Sequence, residues 1–430
     1  MKALKLLVFT MLAGAPLMTP CSGQTLTTLY AFAGGPNGAG PYAGLAMGAN
    51  GALYGTTLGG TTGNGTVFEL IPPLAAGGAW TQRVIREFAG PPSDGYYPTG
   101  TLAVAPDGAL YGTTYEGGSY GASIKAGMAF ELTPPSSAGG GWTERIIHDF
   151  GGPGDGNSPE AGVVIGQDGT LYGTTAGGGA FGSGLGFGTV FALSPPAAPG
   201  GAWTETVLYS FGPDDSGGGG HPCGGLAIDA NGVLYGTTEQ SNTSGYYGAV
   251  FALQPPGVAG GAWTEQVLHR FTGAPGDGAK SLTGLILGQN GVLYGTTLKG
   301  GASDLGTAFA LTPPAAPGGA WTEAILHSYG SGTDGSYPGG TLVAGSTGAL
   351  YGATGIVDCL QQPPGEGTVF ALEPPAAPGG DWTNTVVYRF LGGFPANGNL
   401  WLGSGGALYG TIAGACGAPN NGTVFALTPS

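Results

Sequence analysis

The chain has 430 residues, including 94 glycines and 34 prolines, and is 41% hydrophobic but only 8% charged. Ten Lys and Arg stand against 25 Asp and Glu, a formal charge of −15. That balance excludes nucleic acid and anionic membrane surfaces as partners, since both are bound by basic side chains that release counterions. Metal cations, basic partners and neutral carbohydrate stay compatible with it.

Residues 1–23 read as a secretory signal: Lys2 and Lys5 form a short basic region, Leu6 to Met18 an apolar stretch, and Ser22 and Gly23 supply small residues before a cut at Gln24. Pro20 beside Cys21 argues against lipid attachment at that cysteine. Cleavage leaves 8 basic and 25 acidic residues, a formal charge of −17. No later segment is long and apolar enough to span a bilayer, so a secreted, periplasmic or cell-surface protein without membrane insertion is expected.

From Gln24 onward one domain is expected, because Leu-Tyr-Gly-Thr-Thr or a close variant recurs seven times. Its tyrosines are Tyr54, Tyr111, Tyr172, Tyr235, Tyr294, Tyr351 and Tyr409, spaced by 57, 61, 63, 59, 57 and 58 residues. Each repeat divides into four short strand-like segments, shown well by the fourth. Gly225 to Asp229 is followed by an Asn231-Gly232 turn, Val233 to Thr238, Ala249 to Leu253, a Pro-Pro loop, and Trp263 to Phe271. The Asn-Gly or Asp-Gly pairs at Asn50, Asp107, Asp168, Asn231 and Asn290 predict tight hairpins with positive φ at both central residues. The Pro-Pro-Ala-Ala-Pro-Gly-Gly run at Pro195 recurs from Pro313 and Pro374, which predicts a rigid connection.

The chain stops after a third segment, Gly422 to Ser430, while Gln24 to Phe32 matches the end of a fourth. The expected fold is therefore all-β, a seven-bladed β-propeller with four antiparallel strands per blade. The N-terminal strand closes the last blade, which leaves only short, protected edges.

The order Leu-Tyr-Gly, Gly-Gly (Gly59-Gly60, Gly177-Gly178, Gly300-Gly301), aromatic strand and Trp resembles a kelch-type blade, with longer blades here. Over essentially the whole mature chain, Leu-Tyr-Gly-Thr-Thr, then Gly-Thr-Val-Phe-Ala-Leu-x-Pro-Pro, then Trp-Thr resembles the bacterial tandem-repeat family called GloVer. That resemblance implies an exported protein of unknown biochemical function; several such proteins carry a C-terminal sorting anchor. This chain stops at Ser430 with none, so attachment by that route is not expected.

Candidate chemistry must lie where the repeats differ. Loops between repeats carry Asp94, Asp155, Asp214, Asp215, Asp277 and Asp334, with Asn37 and Asn397 in the other two. On a propeller these share one face, and their oxygens suit Ca²⁺, although a plain Asp-Gly turn bonding its own backbone explains them too. His221, in a long loop, is a candidate base. His148, His269 and His327 alternate with Arg86, Tyr209 and Tyr388 at one place in the fourth segment, which reads as strand surface. The six repeat tryptophans (Trp80, Trp142, Trp203, Trp263, Trp321, Trp382) read as packing at the outer strand, with sugar stacking as the rival, and the repeat tyrosines as core residues bonded to backbone. Cys359 and Cys416 occupy corresponding loops of adjacent blades, so a disulfide is expected on export, with Cys223 left unpaired. Asp358 and Glu366 are further non-repeating acids. The segment two-to-three loops vary freely, at Tyr115 to Ala126, Ala176 to Phe187 and Ile356 to Glu366. They are expected to hold ligand contacts.

No hydrolase, metalloprotease, phosphate-loop or dinucleotide motif occurs, and no cofactor is required. Two readings follow: a binding or scaffolding module for carbohydrate or an extracellular protein, or a propeller-fold carbohydrate hydrolase or lyase using the same face.

Overall fold

A computed structural model describes residues 24–429, apart from 76, 122–124, 138–139, 182–185, 199, 214–217, 241–246, 259, 317, 331–333, 356–366, 378, 391–393, 396–398 and 414–420. Asp214, Asp215, Asp358, Glu366, Asn397, Cys21, Cys359 and Cys416 lie outside the described residues, as does the expected signal segment. The described chain is a seven-bladed β-propeller of antiparallel sheets, mainly four-stranded. No helix among the described residues is long and apolar enough to cross a membrane.

The fourth blade has an innermost strand Ala227–Ile228, a second Leu234–Thr238, a third Ala249–Gln254 and an outer strand Thr264–Arg270, paired in that order. The other blades follow this plan. In the last blade the outer strand is Gln24–Ala31, which pairs with Thr423–Pro429 from Gln24↔Pro429 to Ala31↔Thr423. The ring is thus latched by the two ends of the chain, as the split repeat predicts.

Each letter of the repeated motif has a separate physical task. Leu234 is fully buried in the blade. Tyr235 meets Trp321 of the next blade edge-on, with ring centroids 6.3 Å apart, and the same pairing joins Tyr54 to Trp142, Tyr111 to Trp203, Tyr172 to Trp263 and Tyr294 to Trp382. The tryptophans therefore serve packing between blades. Gly236 is required because a β-carbon there would lie 2.5 Å from the Phe251 ring and 2.9 Å from Leu226. The first threonine hydroxyl donates across the seam between blades, Thr237 to the Thr283 carbonyl at 2.9 Å and, closing the ring, Thr411 to the Ala43 carbonyl at 3.1 Å. The second stays within its blade, as in the 2.8 Å Thr175–Thr189 hydroxyl pair.

Three of the tyrosine hydroxyls, those of Tyr54, Tyr111 and Tyr235, reach carboxylates, not backbone. Tyr54 donates to Glu69 at 3.2 Å and Tyr111 to Glu131 at 3.3 Å. Burial and then the Glu69 charge push the Tyr54 phenol up to about 12.

Between blades the core is a relay of aromatic pairs. Phe32–Phe68, Phe88–Phe130, Phe211–Phe251 and Phe271–Phe309 have centroids 5.2, 5.3, 5.3 and 5.2 Å apart. Phe32 belongs to the N-terminal strand, so closure uses the same contact as every internal seam.

The hairpins between first and second strands differ in detail from expectation. Asn290 and Gly291 both have positive φ, 57° and 75°. At Asn50 and Asp107 only the following glycine does, Gly51 at 78° and Gly108 at 88°. The side-chain oxygen of Asn50 or Asp107 instead accepts the N–H two residues on, at 3.0 and 3.1 Å. This Asx turn spares a non-glycine residue the left-handed conformation.

Candidate functional site

Two loop sets are tied together on one face. Gly95–Tyr96, entering the second blade, pairs with Glu116–Gly117, between that blade's second and third strands, and Gly156–Asn157 and Gly278–Ala279 pair likewise with Gly177–Gly178 and Lys299–Gly300. The residue after the second motif threonine also bonds the entering loop. Tyr115 donates to the Tyr97 carbonyl at 2.9 Å and Glu239 to that of His221 at 3.1 Å. The entering loops hold a left-handed residue at one position: Gly40, Tyr97, Ser158, His221, Lys280 and Tyr337 have φ between 55° and 64°.

These loops surround a cavity of about 570 Å³ at the propeller axis, with lining residues from all seven blades. Four residues before the start of the inner strand in the first six blades lies a lining position that holds Tyr42, Thr99, Glu160, Cys223, Leu282 and Gly339 in successive repeats. Tyr97, Tyr115, Thr101, Thr341 and Asn399 add rings, hydroxyls and an amide. Sequence reasoning missed this column. Its signal was available, since these six residues share a register yet no chemical type.

The wall is electrically uneven. Burial holds the Glu160 carboxyl above the usual carboxylate range, while its bond with Cys223 and the Lys125 charge oppose the shift. Burial, and then the charges of Glu160 and Glu239, raise the Cys223 thiol well above its ordinary value. A thiol so placed is protonated at neutral pH and is a poor nucleophile. Nearby, Lys125 Nζ lies 3.2 Å from the Tyr115 hydroxyl, and Lys280 Nζ lies 3.7 Å from Glu239.

Asp94, Asp155, Asp277 and Asp334 do not line the cavity. Each turns back on the preceding outer strand. Asp94 accepts from Arg86 at 2.7 Å and from the Ala89 and Gly95 N–H groups at 2.6 and 2.7 Å. Asp155 meets His148 at 2.9 Å, Asp277 meets His269 at 3.2 Å, and Asp334 meets His327 at 2.9 Å. The imidazoles are thus not plain strand surface, being only 22%, 21% and 24% exposed. A β-bulge explains the difference. In the fourth blade the pairing shifts between Val250↔His269 and Phe251↔Val267, which re-aims the end of the outer strand toward the loop. His221 plays its visible part through backbone: its N–H donates to the Phe187 carbonyl at 2.8 Å, and its carbonyl accepts from the Cys223 thiol at 3.4 Å.

The chain belongs to the Gloeobacter/Verrucomicrobia repeat family, which matches residues 17–246, 121–361 and 224–430. This is the tandem-repeat family that the Leu-Tyr-Gly-Thr-Thr and Gly-Thr-Val-Phe-Ala-Leu runs resemble. No curated protein matches the chain. Among solved structures, it is similar to an ulvan lyase of a new polysaccharide-lyase family, bound to -[GlcA(1-4)Rha3S]-, at 9% identity and a TM-score of 0.56, over 93% of this chain and 95% of that one. A protein of unknown function from Dyadobacter fermentans is 11% identical with a TM-score of 0.46, over 95% and 100%. A gluconolactonase from Xanthomonas campestris is 15% identical with a TM-score of 0.42, over 78% and 90%. Likeness at such identities concerns fold alone.

Proposed function

We propose that the protein is an exported binding module that takes a carbohydrate at the channel mouth. One observation carries the reading: in a chain whose motif strands are nearly invariant from repeat to repeat, a freely varying column lines the 570 Å³ axial cavity. Tyr42, Tyr97 and Tyr115 offer ring faces for the apolar side of a sugar, while Thr101, Thr341, Asn399 and Glu160 offer hydroxyl, amide and carboxyl partners. The expected leader and the absence of a long apolar helix among the described residues fit an exported protein. The inter-repeat aspartates support the mouth by shaping the loops that carry this column.

A glycan panel, followed by calorimetry on the best ligand, tests the reading. Tyr97→Ala and Tyr115→Ala are expected to weaken binding by tenfold or more with folding retained. Affinity unchanged in both variants, or a bound structure with the ligand on the Pro-Pro side, would refute it. Glu160 favours a second reading, a hydrolase or lyase, because a cavity-lining carboxyl whose pKa is raised by burial is placed to exchange a proton with a bound substrate. Turnover of the bound glycan that is lost in Glu160→Gln would select that reading over simple binding.

A further inference from the structure

The seams between outer strands carry a second repeated constellation, distinct from the axial cavity. At the seams of Arg86, His148, His269 and His327, a side chain near the end of one outer strand lies beside the acid of the following loop and the residue after Trp-Thr on the next blade. At the first seam these are Arg86, Asp94 and Glu144. The guanidinium lies 2.7 Å from each carboxylate, so one built-in cation serves two acids. Where the strand residue is Tyr30, the corresponding partner on the next blade is the neutral Gln82, 3.5 Å from the hydroxyl.

Two seams keep both acids and replace the guanidinium with an imidazole. His148, Asp155 and Glu205 form one group, and His269, Asp277 and Glu323 the other; in each, one ligand atom per residue lies within 4.8 Å of the other two. The imidazole Nε2 of His148 is 2.9 Å from Asp155 Oδ2, and that of His269 is 3.2 Å from Asp277 Oδ2 and 3.7 Å from Glu323 Oε2. Glu205 Oε1 and Glu323 Oε1 are buried with no hydrogen-bond partner. Even a protonated imidazole would leave one of two ionised carboxylates uncompensated, and a buried unpaired charge is strongly disfavoured.

We propose that these two seams are divalent metal sites, each binding one first-row ion such as Zn²⁺ through His148, Asp155 and Glu205 or through His269, Asp277 and Glu323. A tetrahedral ion with bonds of about 2.0–2.2 Å needs ligand atoms roughly 3.3–3.6 Å apart; the imidazole stands 2.9 Å from Asp155 at one seam and 3.2 and 3.7 Å from Asp277 and Glu323 at the other, and within each group all three ligand atoms lie within 4.8 Å of one another. One imidazole and two carboxylates are too few oxygens for Ca²⁺, which takes six to eight. The ion supplies the charge that Arg86 supplies at the first seam, and it pins the outer strand of one blade to that of the next. The His327 seam is an internal control: Asn384 replaces the glutamate there, its Nδ2 3.4 Å from His327 Nε2, so only one carboxylate remains.

The test is to strip the purified protein with chelator, titrate it with ZnCl₂, and read stoichiometry by calorimetry and elemental analysis, with melting followed in parallel. The intact chain is expected to take up two ions and to melt higher when loaded. Glu205→Gln and Glu323→Gln, which keep side-chain shape, should each reduce uptake to one, their double variant to none, and His327→Ala should leave it at two. Metal-free melting of each variant establishes that it folds. No stoichiometric uptake by the intact chain, or uptake unchanged in a folded double variant, overturns the proposal.

Discussion

The motif strands and the channel mouth are built from the same seven repeats and obey opposite rules. In the strands, nearly one residue type serves at each place: Gly236 for the Phe251 ring, Thr237 for the neighbouring loop with Ala353 as its single counterpart of another type, and Tyr235 for Trp321. At the mouth, a single backbone position carries Tyr42, Thr99, Glu160, Cys223, Leu282 and Gly339. The difference follows from what surrounds each position. A strand residue is enclosed by atoms of two blades, so one shape fits, whereas a mouth residue faces a cavity and is free to differ without unpacking anything.

The largest expected effect comes from breaking the frame where it closes. Deleting Gln24–Phe32 removes a whole outer strand and the Phe32–Phe68 contact, whose ring alone is worth about 3–5 kcal/mol by analogy with buried Phe→Ala changes. The cooperative melting transition should be lost. A melt within a degree or two of the intact protein would show that the ends do not latch the ring.

Inside a blade the effects are smaller and equally specific. Phe251→Ala should destabilise by about 3–5 kcal/mol. Gly236→Ala, by forcing a methyl group against that same ring, should destabilise by about 1–3 kcal/mol in denaturant unfolding. If Gly236→Ala were neutral, the glycine would not be there for the ring.

A pH-dependent effect belongs to the seam that begins at Tyr209. Burial pushes Glu265 up to about 7, with Arg270 opposing, and its Oε1 has no hydrogen-bond partner. Because the folded value lies above that of the unfolded chain, folding carries no penalty from this group at pH 4. The penalty grows from about pH 4.5 and levels off above pH 7. Glu265→Gln should therefore leave stability unchanged at pH 4 and raise it by about 1 kcal/mol at pH 8, allowing for solvent screening. Melting at both pH values checks this, and an equal shift at both would point to packing instead of charge.

The smallest effect is expected at the mouth. Lys280, 48% exposed beside Glu239, contributes little to the frame, so Lys280→Ala should change stability by no more than about 0.5 kcal/mol. A loss of several kcal/mol would dissolve the distinction between frame and mouth.

The site was less legible than the frame for a definite reason. The inter-repeat aspartates were visible, but Asp155 and Asp277 meet His148 and His269 only because a bulge turns the strand end, and Glu205 and Glu323 arrive from the next blade. Glu323 stands 54 residues beyond His269 in the chain. The histidines, taken singly, looked like strand surface. Aligning the repeats and comparing corners across neighbours would have linked Arg86 with Glu144 and Tyr30 with Gln82.

By itself the sequence determined the number of blades, the strand order and the closing strand. The repeat period, turn chemistry and the split last repeat are signals in the sequence that do not depend on where other blades lie. Only the tertiary structure decided which carboxylates share a seam and which side chains face the axis. Those relations join residues about one repeat apart, and the ring curvature that brings them together is a property of all seven blades packed at once.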